Sequence, residues 1–376
     1  MKRIFKIFLK IMFTVLAIVL VFVIGIAIFI KTSPQFGAKI EGDQLEEIKQ
    51  SPNFKDGEFI NLTPTILNNI KPKDMVSMMY NLIFNPSQGT PKSPLPVNFG
   101  EGEMKEVDSI AYVTWYGHSA ILLEMEGKSI LIDPMLGPAS APVSFATKRF
   151  TYENAIEIEN LKNIDAVILS HDHYDHLDYP TIIKIKDEVK HFYTALGVGE
   201  HLASWGVPRE KITQLDWWES SFLENIELIA TPARHFSGRG VSDRNKTQWA
   251  SWVIKGQKSN IYFSGDGGYA NHFQEIGNRY GPFDFAMVEC GQYNELWAQI
   301  HMTPEETVQA SIDVQAKVMM PIHWGAFKLA PHDWKDPIER VIAESNLKNV
   351  EVSTPAIGER FSIGNASKTN WWENVE

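Results

Sequence analysis

Three imidazoles and two carboxylates stand within the string HDHYDH, near the middle of the chain. They follow the apolar run 166–169, which predicts a buried strand that ends in a ligand-rich loop. Imidazole nitrogen and carboxylate oxygen are donors that zinc accepts. His171 and His173 can reach one ion. Asp175 and His176 can reach a second ion beside it. A polar turn that carries histidines by chance is the alternative, and four donors in this order count against it.

Three further candidate ligands lie downstream. His235, Asp266 and His323 each follow a strand-like apolar run, and strands that end at one edge of a sheet can deliver ligands to a single site. The predicted ligands are His171, His173 and His235 for one Zn²⁺ ion, Asp175, His176 and His323 for the other, with Asp266 bridging. Each ion keeps room for a shared water, as a catalytic site requires. Asp175 and Asp266 are the predicted catalytic carboxylates.

The order of these ligands resembles the metallo-β-lactamase superfamily. Other strings are similar to the N-acylphosphatidylethanolamine-hydrolysing phospholipase D family within it. They are WYGH at 115–118, IDP at 132–134, KRF at 148–150, LDWWE at 215–219, GPFD at 281–284, DVQ at 313–315 and IHWG at 322–325. The resemblance therefore extends over roughly residues 55 to 335. It implies an α/β fold, an αββα sandwich with the metals at one edge.

The resemblance has departures that bear on the substrate. Asp172 stands where the animal enzymes carry a neutral amide, and residues 291–297 are only loosely similar. Asp133 and Asp172 are interpreted either as acceptors that orient imidazoles or as turn residues. His118 belongs to a family string but lies outside the ligand set, so it is interpreted as a packing or hydrogen-bonding residue. His301 lies where the family places substrate contacts and is the predicted substrate-binding residue.

The resemblance implies a zinc-dependent phosphodiesterase that acts on N-acylphosphatidylethanolamine-like phospholipids. The products would be an N-acylethanolamine and phosphatidic acid. Two divalent ions lower the pKa of a shared water and neutralise charge on a phosphodiester. Another hydrolase of the same fold, such as a lactonase or a different phosphodiesterase, is the enzymatic alternative. A non-catalytic metal-binding envelope protein is the alternative from another class.

Composition adds limits on partners. The net charge of −11 argues against nucleic-acid binding, which needs a basic surface. The single cysteine, Cys290, excludes an intramolecular disulfide framework and follows an apolar run, so a buried structural thiol is predicted. The predicted partners are a phospholipid or another small-molecule substrate, and the membrane. A homo-oligomer is left open.

The N-terminus predicts a membrane anchor. Residues 11–30 carry no charge, and a helix of that length spans about 30 Å, the thickness of the hydrocarbon core. A secretory signal peptide is the alternative, but no small-x-small cleavage site follows. Basic residues concentrate before the span, at Lys2, Arg3, Lys6 and Lys10. The positive-inside tendency therefore predicts a single-pass protein of the cell membrane, with a cytoplasmic N-terminus and an extracytoplasmic catalytic domain.

The coarse organisation has three parts. Residues 1–30 form the basic N-terminus and transmembrane anchor, 31–110 a juxtamembrane approach segment and 111–376 the hydrolase domain. Within the approach segment, residues 74–84 have the apolar density of a short helix. In the hydrolase domain, strands at 111–115 and 120–133, the second broken by a turn, precede helices at 180–188 and from Thr303 to Val314, the latter opened by a capping box. Strands first and helices later are typical of layered sheets with helices outside.

Overall fold

The computed structural model describes residues 2–66, 73, 76, 80, 89–99 and 110–376. The helix predicted over residues 74–84 lies almost entirely outside these residues. The strands and helices predicted for the hydrolase domain are present, with boundaries that differ by a few residues. The predicted helix at 180–188 ends at Ile185, because the next strand already begins at Val189.

Two β-sheets form the centre of the protein. The first has the order β15-β3-β4-β5-β6-β7-β8, in which β5 to β8 run parallel. Its strands are β3 (Tyr112–Trp115), β4 (Ile121–Met125), β5 (Lys128–Ile132), β6 (Ile164–Leu169), β7 (Val189–Ala195), β8 (Ile212–Leu215) and β15 (Arg360–Ser362). β6 is buried on both faces, as its unbroken apolar run predicts.

The second sheet has the order β14-β13-β12-β11-β10-β9, with β12, β13 and β14 parallel. Its strands are β9 (Ser220–Leu223), β10 (Ile226–Thr231), β11 (Ser251–Lys255), β12 (Asn260–Phe263), β13 (Phe285–Glu289) and β14 (Met319–Ile322). β14 contains Pro321, which cannot donate to a ladder and is tolerated because β14 is the edge strand. A separate hairpin joins β1 (Phe54–Lys55) to β2 (Glu58–Phe59).

Seven helices are described. They are α1 (Lys2–Thr32), α2 (Asp43–Ile48), α3 (Tyr179–Ile185), α4 (Val198–Ser204), α5 (His272–Tyr280), α6 (Pro304–Asp313) and α7 (Asp336–Lys348). Helix α4 packs on β7 and β8, whereas α6 packs on β13 and on its neighbours α5 and α7. Thr303 caps α6 in a capping box with Glu306, as the sequence predicts. The predicted αββα sandwich is confirmed.

The core lies between the two sheets. Trp252 of β11 and Phe285 of β13 are fully buried. The Trp252 indole donates to the carbonyl of Leu169, at the end of β6, over 3.3 Å. The ring of Phe285 contacts that of Phe361 at a centroid distance of 5.8 Å. The sheets therefore meet directly, and the ends of β6, β10, β12 and β14 are held at one edge of the sandwich.

Helix α1 projects from this body. Its large apolar side chains are exposed, and none of its most apolar stretch is buried against the rest of the protein. Length and composition allow this helix to cross a membrane, although a signal sequence would satisfy the same criterion. Its exposure is the opposite of what a core helix of a soluble domain shows.

Candidate metal centre

Each predicted ligand follows the end of a strand. The loop at 170–177, which we call the metal loop, follows β6, and His235 follows β10. Asp266 follows β12 through Gly265, whose φ of +57° suits glycine, and His323 follows β14. All seven predicted ligands meet at this edge.

One cluster consists of three imidazoles. The Nε2 atom of His171 lies 2.9 Å from Nδ1 of His173, which lies 3.2 Å from Nε2 of His235. Zn–N bonds of about 2.0–2.1 Å in a tetrahedral site separate neighbouring ligand nitrogens by about 3.3 Å. Three ring nitrogens that point at one another at these distances are therefore spaced as the ligands of one ion are.

A second cluster joins His176, His323 and Asp175. The Nε2 atom of His176 lies 3.5 Å from Oδ2 of Asp175, and Nε2 of His323 lies 4.0 Å from the same oxygen. His118 also belongs to this group, because its Nε2 donates to Asp175 Oδ2 over 2.8 Å. The sequence placed His118 outside the ligand set, and here it acts as a buried hydrogen-bond partner of a predicted ligand.

Asp266 lies between the two clusters. Its Oδ2 atom is 3.0 Å from Nε2 of His176 and 4.0 Å from the Nε2 atoms of both His171 and His235. Its Oδ1 atom is 3.1 Å from Nδ1 of His323 but is not aligned for a hydrogen bond. One carboxylate therefore faces both groups of nitrogens, as a bridging ligand must.

The imidazole rings of three predicted ligands are oriented by hydrogen bonds at Nδ1, on the side of the ring away from the site. His235 Nδ1 donates to the carbonyl of Ile300 over 2.9 Å, and His176 Nδ1 donates to Asp133 Oδ2 over 2.6 Å. His171 Nδ1 lies 2.8 Å from the hydroxyl of Ser170, which donates to Asp133. Because each Nδ1 bonds behind the ring, each Nε2 is the nitrogen that faces the site. Asp133 thus orients an imidazole, one of the two roles that the sequence left open.

Asp172 has a different function. Its carboxylate accepts from Gly238 N, from the Thr247 hydroxyl and from His201 Nε2, at 2.8, 2.8 and 3.2 Å. It therefore orients His201 and none of the ligand imidazoles. His201 lies on helix α4, 29 residues after Asp172, so no local pattern indicates this pair.

Asn61 and Glu289 also position residues of the site, and neither was predicted from the sequence. The side-chain amide of Asn61 donates to the carbonyl of His235 and accepts from its N–H, at 2.8 and 3.0 Å. Glu289, at the end of β13, accepts from His301 Nδ1 over 3.0 Å and from Met302 N over 2.9 Å. A carboxylate that ends an apolar strand, beside strands that end in ligands, was the available signal for Glu289. Nothing in the sequence marks Asn61.

The electrostatics suit a cation. Burial lowers the pKa values of His171, His235 and His323 well below 6.5, and that of His173 to about 4. These rings are therefore neutral at neutral pH, which is the form that binds metal. Burial also raises the pKa of Asp266 to about 7. Although burial lowers it, the pKa of His176 is raised well above 6.5 by its contacts with the carboxylates of Asp266, Asp175 and Asp133. These buried carboxylates therefore favour a positive charge at this position, which a bound cation would supply.

Buried polar atoms that lack hydrogen-bond partners are a second indication of a bound cation. Within the described residues, Asp266 Oδ1 and His323 Nε2 are buried and have no hydrogen-bond partner. Buried polar atoms without a hydrogen-bond partner are rare in folded proteins, and a bound water or ion would satisfy these two. The donor set therefore fits divalent ions of the zinc type, with imidazole and carboxylate ligands.

A cavity of about 490 Å³ opens over these ligands. Its floor includes Asp175, Asp266 and His301, so the predicted substrate-binding histidine faces it. Its walls are largely apolar and include Ile66, Phe236, Leu296, Trp297, Ile300 and Leu329. Arg244 stands on the rim with its guanidinium 5.2 Å from the ring centre of Phe236. No carboxylate in the described part of the chain forms an ion pair with Arg244.

Known proteins are similar to this chain in sequence. Residues 128–324 match the family profile described as "Beta-lactamase superfamily domain". An uncharacterised protein of Mycobacterium tuberculosis is 38% identical over 329 residues, 86% of this chain and 88% of that protein. The N-acyl-phosphatidylethanolamine-hydrolyzing phospholipase D 1 of Caenorhabditis elegans is 31% identical over 285 residues, 71% of this chain and 80% of that protein.

A solved structure has the same architecture. A metallo-hydrolase from the hyperthermophilic archaeon Ignicoccus hospitalis matches with a TM-score of 0.53 and 21% identity. The match covers 68% of this chain and 98% of that one. It shows a shared fold over the matched part of the chain.

Proposed function

Because this chain belongs to the beta-lactamase superfamily and is a metal-dependent hydrolase of that superfamily, we propose that it is a membrane-anchored phospholipase D-type phosphodiesterase. Its substrate would be an N-acylphosphatidylethanolamine-like phospholipid. Water adds to phosphorus, the bond from phosphorus to the headgroup oxygen breaks, and N-acylethanolamine and phosphatidic acid leave. The observation that carries the proposal is the pair of candidate ligand clusters, which opens into a largely apolar cavity with one arginine among its lining residues.

Two zinc ions are the proposed cofactors. His171, His173 and His235 would hold one ion, Asp175, His176 and His323 the other, and Asp266 both. When bound, two such ions supply an activated water near neutral pH and neutralise charge on phosphate oxygens. Asp175 and Asp266 are the carboxylates of this set that face the cavity, which supports their proposed catalytic role.

Two other side chains would hold the substrate. Arg244 can donate paired hydrogen bonds to phosphate oxygens, which guanidinium groups match in geometry. His301 donates its Nδ1 proton to Glu289, so its Nε2 atom is the ring nitrogen left for the substrate. Acylation of the ethanolamine nitrogen removes the positive charge of the headgroup. A rim cation with no carboxylate partner among the described residues therefore favours an N-acylated lipid over the zwitterionic parent.

The position of the anchor supports a lipid substrate. Helix α1 ends at Thr32, and Phe36 already contacts the ring of Tyr174 in the metal loop at 6.5 Å. Four residues span at most about 14 Å when extended. The metal loop therefore stays near the end of the anchor, and a lipid in the same leaflet is confined to the same surface. The C. elegans relative, named for hydrolysis of N-acylphosphatidylethanolamine, agrees with this substrate class.

Incubation of the purified full-length protein with a phospholipid panel tests the proposal. We expect N-acylethanolamine and phosphatidic acid in equal amounts, and little product from phosphatidylethanolamine. Mass spectrometry of both products locates the broken bond. Free fatty acid or an opened lactone as the only product, with phosphodiesters untouched, would assign the protein to another hydrolase class of this fold. The Asp266→Asn variant is the control for contaminating lipases.

We also propose that α1 is retained as a single membrane span, with the N-terminus in the cytoplasm and the hydrolase domain outside. The four basic residues before the span resist translocation, and only two follow closely. Protease added to intact, wall-stripped cells should digest the domain and leave a small membrane-embedded fragment. A domain that is cut only after lysis would reverse the orientation. A domain released without α1 would identify α1 as a signal sequence.

A further inference from the structure

A short segment after α1 lies directly against the metal loop. We call residues 33–38 the strap. Three buried side chains of the hydrolase domain bond to it: Trp205 Nε1 donates to the carbonyl of Pro34 and Arg239 Nε to that of Gln35, each over 2.8 Å. The Ala38 N–H donates to Nδ1 of His201 over 2.9 Å. The strap therefore satisfies three polar groups that the fold would otherwise leave buried and unpaired.

One of these bonds leads to the metal loop through His201. Because His201 Nδ1 accepts from Ala38, the ring proton must be on Nε2, which lies 3.2 Å from Asp172 Oδ2. Asp172 stands between two predicted ligands in sequence and is almost fully buried. The strap thus selects the histidine tautomer that donates to Asp172.

A second bond leads there through Arg239. Its Nη1 atom donates to the carbonyls of Asp172 and Leu177, at 2.6 and 2.8 Å, and so ties both ends of the metal loop. The guanidinium also covers the ring of Tyr174 at 4.1 Å, and Phe36 contacts the same ring. The first route ends on the side chain of Asp172, and the second ends on backbone carbonyls of the metal loop.

We propose that the strap positions the metal loop, so that the anchor segment completes the scaffold of the metal centre in addition to tethering the enzyme. The inference rests on the metal-centre part of the proposed function, and not on the identity of the lipid. It assigns a positioning role to Ala38, His201 and Arg239, none of which contacts the predicted ligand atoms.

Two glycines provide a matched test. Gly37 and Gly42 have similar backbone angles, with φ, ψ of 72°, −160° and 64°, −138°. A Cβ atom on Gly37 would lie 2.1 Å from His201 Nδ1, whereas one on Gly42 meets nothing nearer than 4.0 Å. Gly37→Ala and Gly42→Ala therefore carry the same backbone strain, and only the first displaces the strap from His201.

The readouts, on full-length protein, are amide hydrogen exchange of residues 170–177, zinc retention against a chelator and turnover of phospholipid. For Gly37→Ala we expect faster exchange in the metal loop, and zinc affinity and kcat that are about 10- to 100-fold lower, with little change in KM. Gly42→Ala should match the parent protein. Equal behaviour of the two variants, or unchanged exchange in the metal loop of Gly37→Ala, would overturn the proposal.

A double variant tests the route. His201→Ala removes the ring that the new methyl group would strike, so Gly37→Ala should add no loss of zinc affinity to His201→Ala. Losses that multiply would show that the strap does not act through His201. If Gly37→Ala fails to fold, His201→Phe replaces it, because it keeps the ring and loses both bonds. Amide exchange and zinc retention test the positioning role of the strap even if the parent protein hydrolyses no phosphodiester.

Discussion

Replacement of Asp266 by asparagine should sharply reduce both hydrolysis and the amount of bound metal. The substitution keeps the size of the side chain and removes the charge that faces both clusters, 3.0 Å from His176 Nε2 and 4.0 Å from His171 Nε2. Loss of partners that only orient ligands typically costs about 10- to 100-fold in activity or metal affinity, and loss of a bridging ligand should cost more. We expect at least about a 100-fold fall in kcat/KM, and bound zinc well below two ions per chain.

Asp165→Asn is the matched control for this variant. Asp165 is also a buried aspartate on the same scaffold, where it accepts from Ser129 N over 3.0 Å and pairs with Lys190. It lies on β6, at the opposite end from the metal loop, so its replacement should leave zinc content and turnover at the parent level. Wild-type zinc content and turnover in Asp266→Asn would exclude the bridging role.

Replacement of Arg244 by glutamine should reduce selectivity for anionic lipids. Charge-assisted hydrogen bonds contribute roughly 1.5–3 kcal/mol, which corresponds to about a 10- to 100-fold lower kcat/KM for the N-acylated phospholipid. We expect most of this loss in KM, because a phosphate contact on the rim forms when the substrate binds. The ratio of kcat/KM for N-acylated over zwitterionic phosphatidylethanolamine should fall with it.

The control is Arg279→Gln. Arg279 is likewise an arginine stacked on an aromatic ring, 3.9 Å from the ring centre of Trp218, but it pairs with Glu275 on helix α5. Its replacement also removes one positive charge and should leave selectivity unchanged. If both variants lose activity equally, the effect is general surface charge. If neither does, Arg244 does not contact the phosphate.

Membership of the superfamily confirms the resemblance inferred from the HDHYDH string and the later histidines. The predicted hydrolase class and the αββα sandwich are confirmed with it. The departure at Asp172 has a structural explanation, since its carboxylate bonds to His201, Gly238 and Thr247. A neutral amide at this position would lose acceptor capacity there. The difference therefore concerns support of the metal loop more directly than recognition of the substrate.

The sequence alone determined the elements that end in ligands. Apolar runs of four to six residues mark buried strands, and a donor that follows such a run must emerge at a sheet edge. This local reasoning located β6, β10, β12 and β14 and the side chains after them. The same reasoning located the start of helix α6, because a capping box consists of four consecutive residues. These features depend on neighbours in the chain.

Only the tertiary structure decided how the ligands are held. His118 reaches Asp175, Asn61 clamps His235, Glu289 orients His301, and the strap reaches His201, each across a long sequence separation. Hydrogen bonds act over about 3 Å, so such pairs exist only after the sheets have packed and brought distant segments together. Periodicity reports which face of an element is buried, but not which side chain of another element lies opposite it. The sequence alone therefore predicted which residues are ligands. The residue that orients each ligand depended on the packing of the whole sandwich.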